Sequence, residues 1–309
     1  MPGNNQVHLA RVRAISVACL AFACALSPAV QAAKVSETSG EALALTPPSS
    51  TEGASESSLS APASLAQPTR QIRVGERLSF HGRWFGIPVG TGWIEVKELT
   101  SVAGRPAYHI EAQGHSNALL STFYPIHDVI HSYLDAATFQ PLRFEKYQRE
   151  GHYRAEEIVT FDYARGVGTY RSLLNHSVKE IPISSDTHDI ISAFYWLRMQ
   201  PGDPQQSLHL NIYSDEKVYQ TELKPLRVVG LEILRKTFRC LVVEPVAAFR
   251  GIFVRRGRMW VYVSADEYRL PLFVKIATPW GPMTGVLDPA ALSQARSDVL
   301  PRHLALHRS

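Results

Sequence analysis

The sequence predicts a mainly β fold: one antiparallel, strongly curved sheet or open barrel, half-barrel-like, with a single helix buried in it at about residues 189–200. Three observations predict it. From Arg73 to Leu287 apolar and polar residues mostly alternate, as in strands with one face on a core and one in water; parallel strands bury both faces and do not alternate. Gly- and Pro-rich turn signals punctuate this stretch at short intervals, as in sandwiches and barrels. Asp189 to Gln200 is apolar around nearly its whole circumference, the mark of a helix enclosed by other elements.

The chain opens on an address. Arg11 and Arg13 precede an apolar run, Ala14 to Leu26, that is too short to span a bilayer. Pro28 breaks the run, and Val30-Gln31-Ala32 has the small-residue pattern cut by a signal peptidase. Residues 1–32 are therefore expected to be a signal peptide that sends a bacterial chain to the periplasm or envelope. Residues 33–70 are Ser, Ala, Pro, Thr and Glu with almost no aromatic content. Such a stretch cannot bury enough apolar surface to offset its chain entropy and is expected to be a disordered linker.

A single β domain follows, expected over 71–289. Leu78, Phe80, Gly82 and Trp84 alternate with Arg77, Ser79, His81 and Arg83; Tyr108, Ile110 and Ala112 alternate with His109, Glu111 and Gln113. Leu208, Leu210 and Ile212 continue the pattern. Turns fall at Gly86-Ile87-Pro88, Ala103 to Pro106, Arg149-Glu150-Gly151, Tyr163 to Gly166, Ser214 to Lys217, Arg255-Arg256-Gly257 and Pro279 to Pro282. They separate about eleven or twelve strands. A short helical turn is expected near Asn117 to Phe123. For the main helix, Asp186, Thr187 and Asp189 are available as caps, and Pro201-Gly202 ends it. Residues 290–309 lose periodicity and are expected to form an irregular tail.

The net charge of +4 falls by two once residues 1–32, with two arginines and no acid, are removed. A nearly neutral chain with interspersed charges lacks the clustered basic face of a nucleic-acid partner. No second apolar run approaches the ~18 residues of a membrane helix. Cys19 and Cys24 lie in the leader. Cys240 then stands alone, so no internal disulfide is expected, and it reads as a small buried hydrophobe.

Chemistry-bearing patterns are sparse. His127 and His131 lie four apart, but no Glu follows the first, and in a strand such residues are ~13 Å apart. No metal is expected there. His152, His176 and His188 form no spacing signature, and Asp186-Thr187-His188-Asp189 reads as a helix start. No nucleophile elbow, phosphate loop, dinucleotide turn or paired-cysteine site occurs, so no cofactor is expected. Arg250, Arg255, Arg256, Arg258 and Arg269 form the one local positive excess, read as hairpin charges that discourage edge pairing, with an anionic surface as the functional alternative. Trp84, Trp93, Tyr195, Trp196, Trp260 and Trp280 are large and carry polar handles. Core packing is their default role. An apolar pocket between helix and sheet is the other, and Trp84, Trp93, Phe194, Tyr195, Trp196 and Arg198 are the candidate ligand-binding residues.

The ordered stretches Gly75-Glu76-Arg77-Leu78 with Trp84 and Gly90, Asp128 to Ser132, and Asp135 to Pro141 carry a resemblance. Asp189 with Ser192 to Arg198, Gly230 with Glu232, and Ser264-Ala265-Asp266 leading to Arg269-Leu270-Pro271 complete it. Over roughly 72–288 the chain resembles the bacterial domain of unknown function 3108 family. The resemblance implies an exported or envelope-associated β-rich protein and supplies no catalytic residues. Where it leads one to expect proline after the helix-starting acid, this chain has Ile190. In architecture alone it is also similar to periplasmic half-barrel lipoprotein carriers, a likeness that cannot assign function.

Three functions remain open at this point. The first is a non-enzymatic carrier of an apolar or amphipathic envelope component: lipid, lipoprotein or glycan. The second is a hydrolase of an envelope polymer, using acids and histidines such as Asp128, His131, Asp186 and His188 from separate strands. The third is an assembly protein that docks partners. The space between helix and sheet discriminates among them: filled for a scaffold, open and apolar for a carrier, open with convergent acids for an enzyme.

Overall fold

The computed structural model describes residues 72–200, 206–247 and 258–297. The expected leader and linker, the predicted strand at Ile252 to Val254, and Arg250, Arg255 and Arg256 lie outside the described residues. The first eight strands are β1 (Arg77–Trp84), β2 (Ile87–Val102), β3 (Arg105–Ser116), β4 (His127–Asp135), β5 (Pro141–Glu150), β6 (Tyr153–Asp162), β7 (Val167–Ser172) and β8 (Val178–Pro182). The remainder are β9 (Thr187–His188), β10 (Leu208–Ser214), β11 (Lys217–Ile233), β12 (Lys236–Ala247), β13 (Arg258–Ser264), β14 (Pro271–Thr278) and β15 (Gly281–Leu287). Among the described residues the helices are α1 (Ala118–Ser121), α2 (Ile190–Met199) and α3 (Pro289–Ser297).

All fifteen strands join one sheet in the order β8 to β1, then β15 to β9. Pairings are antiparallel except β9 with β10. The edge strands β8 and β9 are consecutive in sequence. A flat sheet of this width would hold its edges about 65 Å apart, whereas residues 183–186 span less than ~18 Å. The sheet must therefore curl, and it does so without closing: β8 forms no ladder with β9. Side chains bridge the gap instead. Lys179 on β8 pairs with Glu216 in the β10–β11 turn, and Lys146 on β5 reaches Asp215 of the same turn at 2.9 Å.

The buried helix forms as predicted. Asp189 caps α2, its carboxylate accepting from the Ile191 and Ser192 amides at 2.8 and 2.9 Å. Ser132 on β4 donates to the same carboxylate at 2.6 Å, tying the helix start to the sheet. At the other end Arg198 forms a bidentate pair with Glu76, Nη1 to Oε1 at 2.5 Å and Nη2 to Oε2 at 2.9 Å. Between these anchors no residue of α2 is exposed. Ile191 and Tyr195 pack into a core with Val96, Ile110, Ile130 and Phe144. Ala193 packs into another with Ile212, Leu223, Val243 and Val263.

Three expectations need correction. The described residues form fifteen strands, more than the eleven or twelve expected, partly because the two-residue β9 is too short to show a period. Glu150, read as a turn residue, ends β5 and is fully buried. The region read as an irregular tail begins with α3. Pro289 suits a first helical position, the Ala290 amide donates to Asp288 at 2.7 Å, and Ala291 and Leu292 bury against a core containing Leu78. Ala295 packs on the same core, so the buried face is a single turn of mostly small side chains, a short signal in the sequence. The short turn near 117 is helical as expected, with Asn117 capping α1.

Candidate functional site

Curling fifteen strands around one ten-residue helix leaves space that the helix does not fill. A cavity of about 200 Å³ lies between α2 and the sheet. Its wall is mainly apolar: Ile94, Ala112 and Ile130 from β2–β4, Phe194 and Leu197 from α2, and Leu223, Val261 and Val263 from β11 and β13. An apolar cavity of ~150 Å³ already stays dry and takes a small apolar guest. Period-two alternation aims every second side chain of these strands inward, and the plug cannot reach all of them.

A few polar groups interrupt this wall: Asp128 and Gln113 on β4 and β3, and Arg198 and Arg269 by the helix end. Arg198 is neutralised by Glu76. Arg269 donates to the Gln200 carbonyl at 2.8 Å. Asp128 is 5% exposed. Burial lifts its pKa above the ordinary carboxylate value, against opposing hydrogen bonds from the Glu150 carboxyl, the Arg149 amide and Gln148. Gln148 also donates to Glu150 at 3.4 Å.

Next to this group Lys146 lies between Glu157 at 3.0 Å and Asp215 at 2.9 Å. Burial disfavours its charge, but the two carboxylates overcome that and hold the ammonium protonated. Sequence reading missed this interior polar group. Lys146, Gln148 and Glu150 alternate with equally polar neighbours, so β5 carries no apolar signal along this stretch.

The predicted ligand-binding residues divide. Phe194 and Arg198 face the cavity, and Trp93 touches its margin, although the Trp93 ring stacks on His115 at 5.3 Å beneath Arg77. Tyr195 is fully buried, with its hydroxyl 3.4 Å from Glu76. Trp196 packs beside Leu208 and Leu241. Trp84 belongs to a separate cluster with Val89 and Leu120, and its indole donates to the Trp280 carbonyl at 2.9 Å.

The four residues considered for hydrolysis do not converge. His131 lies on the face of β4 opposite Asp128, with Nδ1 3.0 Å from His109 Nε2. Asp186 is exposed and accepts from Ser184 and Asn211. His188 is buried, its ring 5.5 Å from Trp196, and burial pulls its pKa down to about 4. Asp128 and Glu150 are in direct hydrogen-bond contact. Glycosidase carboxyls instead stand ~5–9.5 Å apart to admit substrate or water.

The family model described as "Protein of unknown function (DUF3108)" matches residues 78–288. The chain belongs to that family. The DUF3108 match covers β1 through β15 and stops at the start of α3, so the cavity wall lies almost wholly within it. Among solved structures, the chain is similar to the beta-barrel-like protein of domain of unknown function DUF1849 from Brucella abortus. That likeness has 8% identity, covers 70% of this chain and 97% of the other, and has a TM-score of 0.48. A search of curated proteins finds no match for this DUF3108 chain.

Proposed function

We propose that this protein binds and carries an apolar or amphipathic component of the bacterial cell envelope, such as a lipid, the lipid part of a lipoprotein or a glycan conjugate, after export to the periplasm. The single observation that supports this reading is the open apolar cavity between α2 and the sheet. A scaffold would gain stability by filling it, since each buried methylene is worth about 0.8 kcal/mol. The leader-like residues 1–32 and the linker composition of 33–70 support the choice of compartment.

The test is a filled cavity. Ala112 is 6% exposed and lines the space, so Ala112→Phe would occupy it. The probe is N-phenyl-1-naphthylamine, whose fluorescence rises in apolar surroundings. The wild-type protein is expected to bind it saturably, and the variant at least about tenfold more weakly, with an unchanged circular dichroism spectrum. Val263→Phe fills the same space from the opposite wall if Ala112→Phe does not fold. A wild type without saturable binding, or a folded filled variant that binds equally well, overturns the proposal.

A further inference from the structure

Five large apolar side chains are exposed together at one end of the sheet. Phe85 and Ile87 flank the β1–β2 turn, Trp280 sits in the β14–β15 turn, and Leu119 and Phe123 project from α1 and the turn after it. Each is between 43% and 65% exposed. Register and hydrogen bonds bring them to one place. Trp84 stands opposite both Ile87 and Met283, and the Phe85 amide donates to the Pro282 carbonyl at 3.0 Å. The Phe85 ring lies on Gly281, in the space a Cβ there would take. Asn117 ties α1 to β2, its amide donating to the Val89 carbonyl and its side chain to the Pro88 carbonyl, both at 2.8 Å. Leu120 and Tyr124 pack with Trp84 and Val89, which leaves Leu119 and Phe123, four apart, on the outer side. Single exposed apolar residues are ordinary, but a contiguous group of them marks an interaction site.

The charge around these tips points to the partner. The segments that build them, Arg83–Thr91, Ser116–Ile126 and Lys275–Thr284, contain no acid. Arg83 and Lys275 stand opposite Thr284 from its two sides, so both cations share one row just behind the tips. Strand β12 ends and β13 begins at this end too. By sequence the stretch 248–257 between them, outside the described residues, adds Arg250, Arg255 and Arg256 and no acid. The turn acids of this end, Asp215 and Glu216 of the β10–β11 turn, pair with Lys146 and Lys179. At the opposite end the strand termini and turns carry Asp135, Asp162, Asp266 and Glu267. A second copy of the chain on this surface would set Arg83 and Lys275 against their own likes. An anionic bilayer complements both the apolar tips and the cations behind them.

We propose that this end of the sheet docks on an anionic lipid bilayer. Phe85, Ile87, Leu119, Phe123 and Trp280 enter the boundary between headgroups and acyl chains, where an indole has both apolar and polar neighbours, and Arg83 and Lys275 meet the headgroups. The cavity reaches toward the same end: Asp128 and Met259 of its lining are one residue in from the starts of β4 and β13. A docked molecule holds its cavity over the bilayer surface.

Cosedimentation with vesicles tests this. The chain is used without residues 1–32, whose apolar run would itself bind lipid. Binding to vesicles of phosphatidylethanolamine and phosphatidylglycerol is expected to be at least about tenfold tighter than to phosphatidylcholine vesicles, and to weaken with added salt. Leu119→Gln combined with Phe123→Gln is expected to weaken it at least about tenfold. Ile87→Gln combined with Trp280→Gln has the same expected effect and serves if the first pair does not fold. Leu99→Gln, which removes a comparably exposed apolar side chain nearer the opposite end, is expected to change nothing. A wild type that does not bind, equal binding to phosphatidylcholine, undiminished binding by the folded paired variants, or an equal loss in Leu99→Gln overturns the proposal. A wild-type dimer that Leu119→Gln with Phe123→Gln dissociates also overturns it, and makes a second copy the partner. Vesicle binding and dye binding by the cavity are separate readouts, so docking can fail while the carrier reading stands, and the reverse.

Discussion

The two halves of this sheet share one pattern and enclose opposite chemistry. In β1–β8 the buried charged side chains are Asp128, Asp135, Glu145, Lys146, Glu150 and Glu157. In β9–β15 the described residues include one, Glu244, paired with Arg258 at 2.7 Å. Leu210, Ile212, Leu223, Val243 and Val263 make the second half's face toward α2 aliphatic. Period two says which side chains share a face. It does not say that the face is apolar. An aliphatic wall depends on volume and shape, whereas a charged one depends on the identity of every partner. Their sensitivities to substitution should differ accordingly.

The largest effect is expected at Lys146. Replacing it by Met keeps most of the volume and leaves Glu157 and Asp215 without their shared cation. Breaking a buried pair by removing one partner costs about 3–5 kcal/mol. It would also loosen the gap between the sheet edges, because Asp215 belongs to the β10–β11 turn. Urea unfolding measures the loss. Adding Glu157→Gln and Asp215→Asn to Lys146→Met is expected to recover a large part of it. If the triple variant is no more stable than the single one, the first half does not depend on charge matching.

The aliphatic half offers the contrasting case. Leu272 on β14 is fully buried, and Leu272→Ala is expected to cost about 3 kcal/mol through lost transfer energy and an unfilled space. No change of a neighbour's charge would restore it. A larger side chain nearby would recover a part, again read by urea unfolding.

The difference between the halves also explains what could be read from the sequence. Alternation at Leu78 to Trp84 and Tyr108 to Ala112 is a local signal, and those strands lie where expected. The helix at 189–200 was legible for the same reason: a cap, an apolar circumference and a Pro-Gly stop all fall within the fourteen residues from Asp189 to Gly202. The first-half interior was not legible. Lys146 meets Glu157 across one ladder and Asp215 across the gap between the edges, and its inward direction is set by register and curvature. The cavity depends on what α2 fails to reach, a property of the assembled volume rather than of any segment. α3 was missed because its packed face is one short turn of mostly small side chains, Ala291, Leu292 and Ala295.

The smallest expected effect sits where the halves meet. His188, on β9 just before the Asp189 cap, is buried against Trp196, and burial, partly offset by Asp186, pulls its pKa down to about 4. As pH falls below the ordinary value of 6.5, the unfolded chain takes up a proton there while the folded chain does not. His188 therefore contributes its full share of stability above pH 6.5 and loses it as pH approaches 4. Asp189 works in the opposite direction. Burial raises its pKa to about 6 against its four hydrogen bonds, so the folded chain gains stability as pH falls from 6 towards 3.8. Comparing His188→Gln with wild type cancels Asp189, which both retain. Glutamine does not titrate, so the difference should shift in the variant's favour by about 2 kcal/mol between pH 7 and pH 5, at 1.36 kcal/mol per pH unit below 6.5. Urea midpoints across that range measure it. A difference independent of pH would mean that His188 titrates alike in the folded and unfolded chains, so that burial against Trp196 does not disfavour its charge.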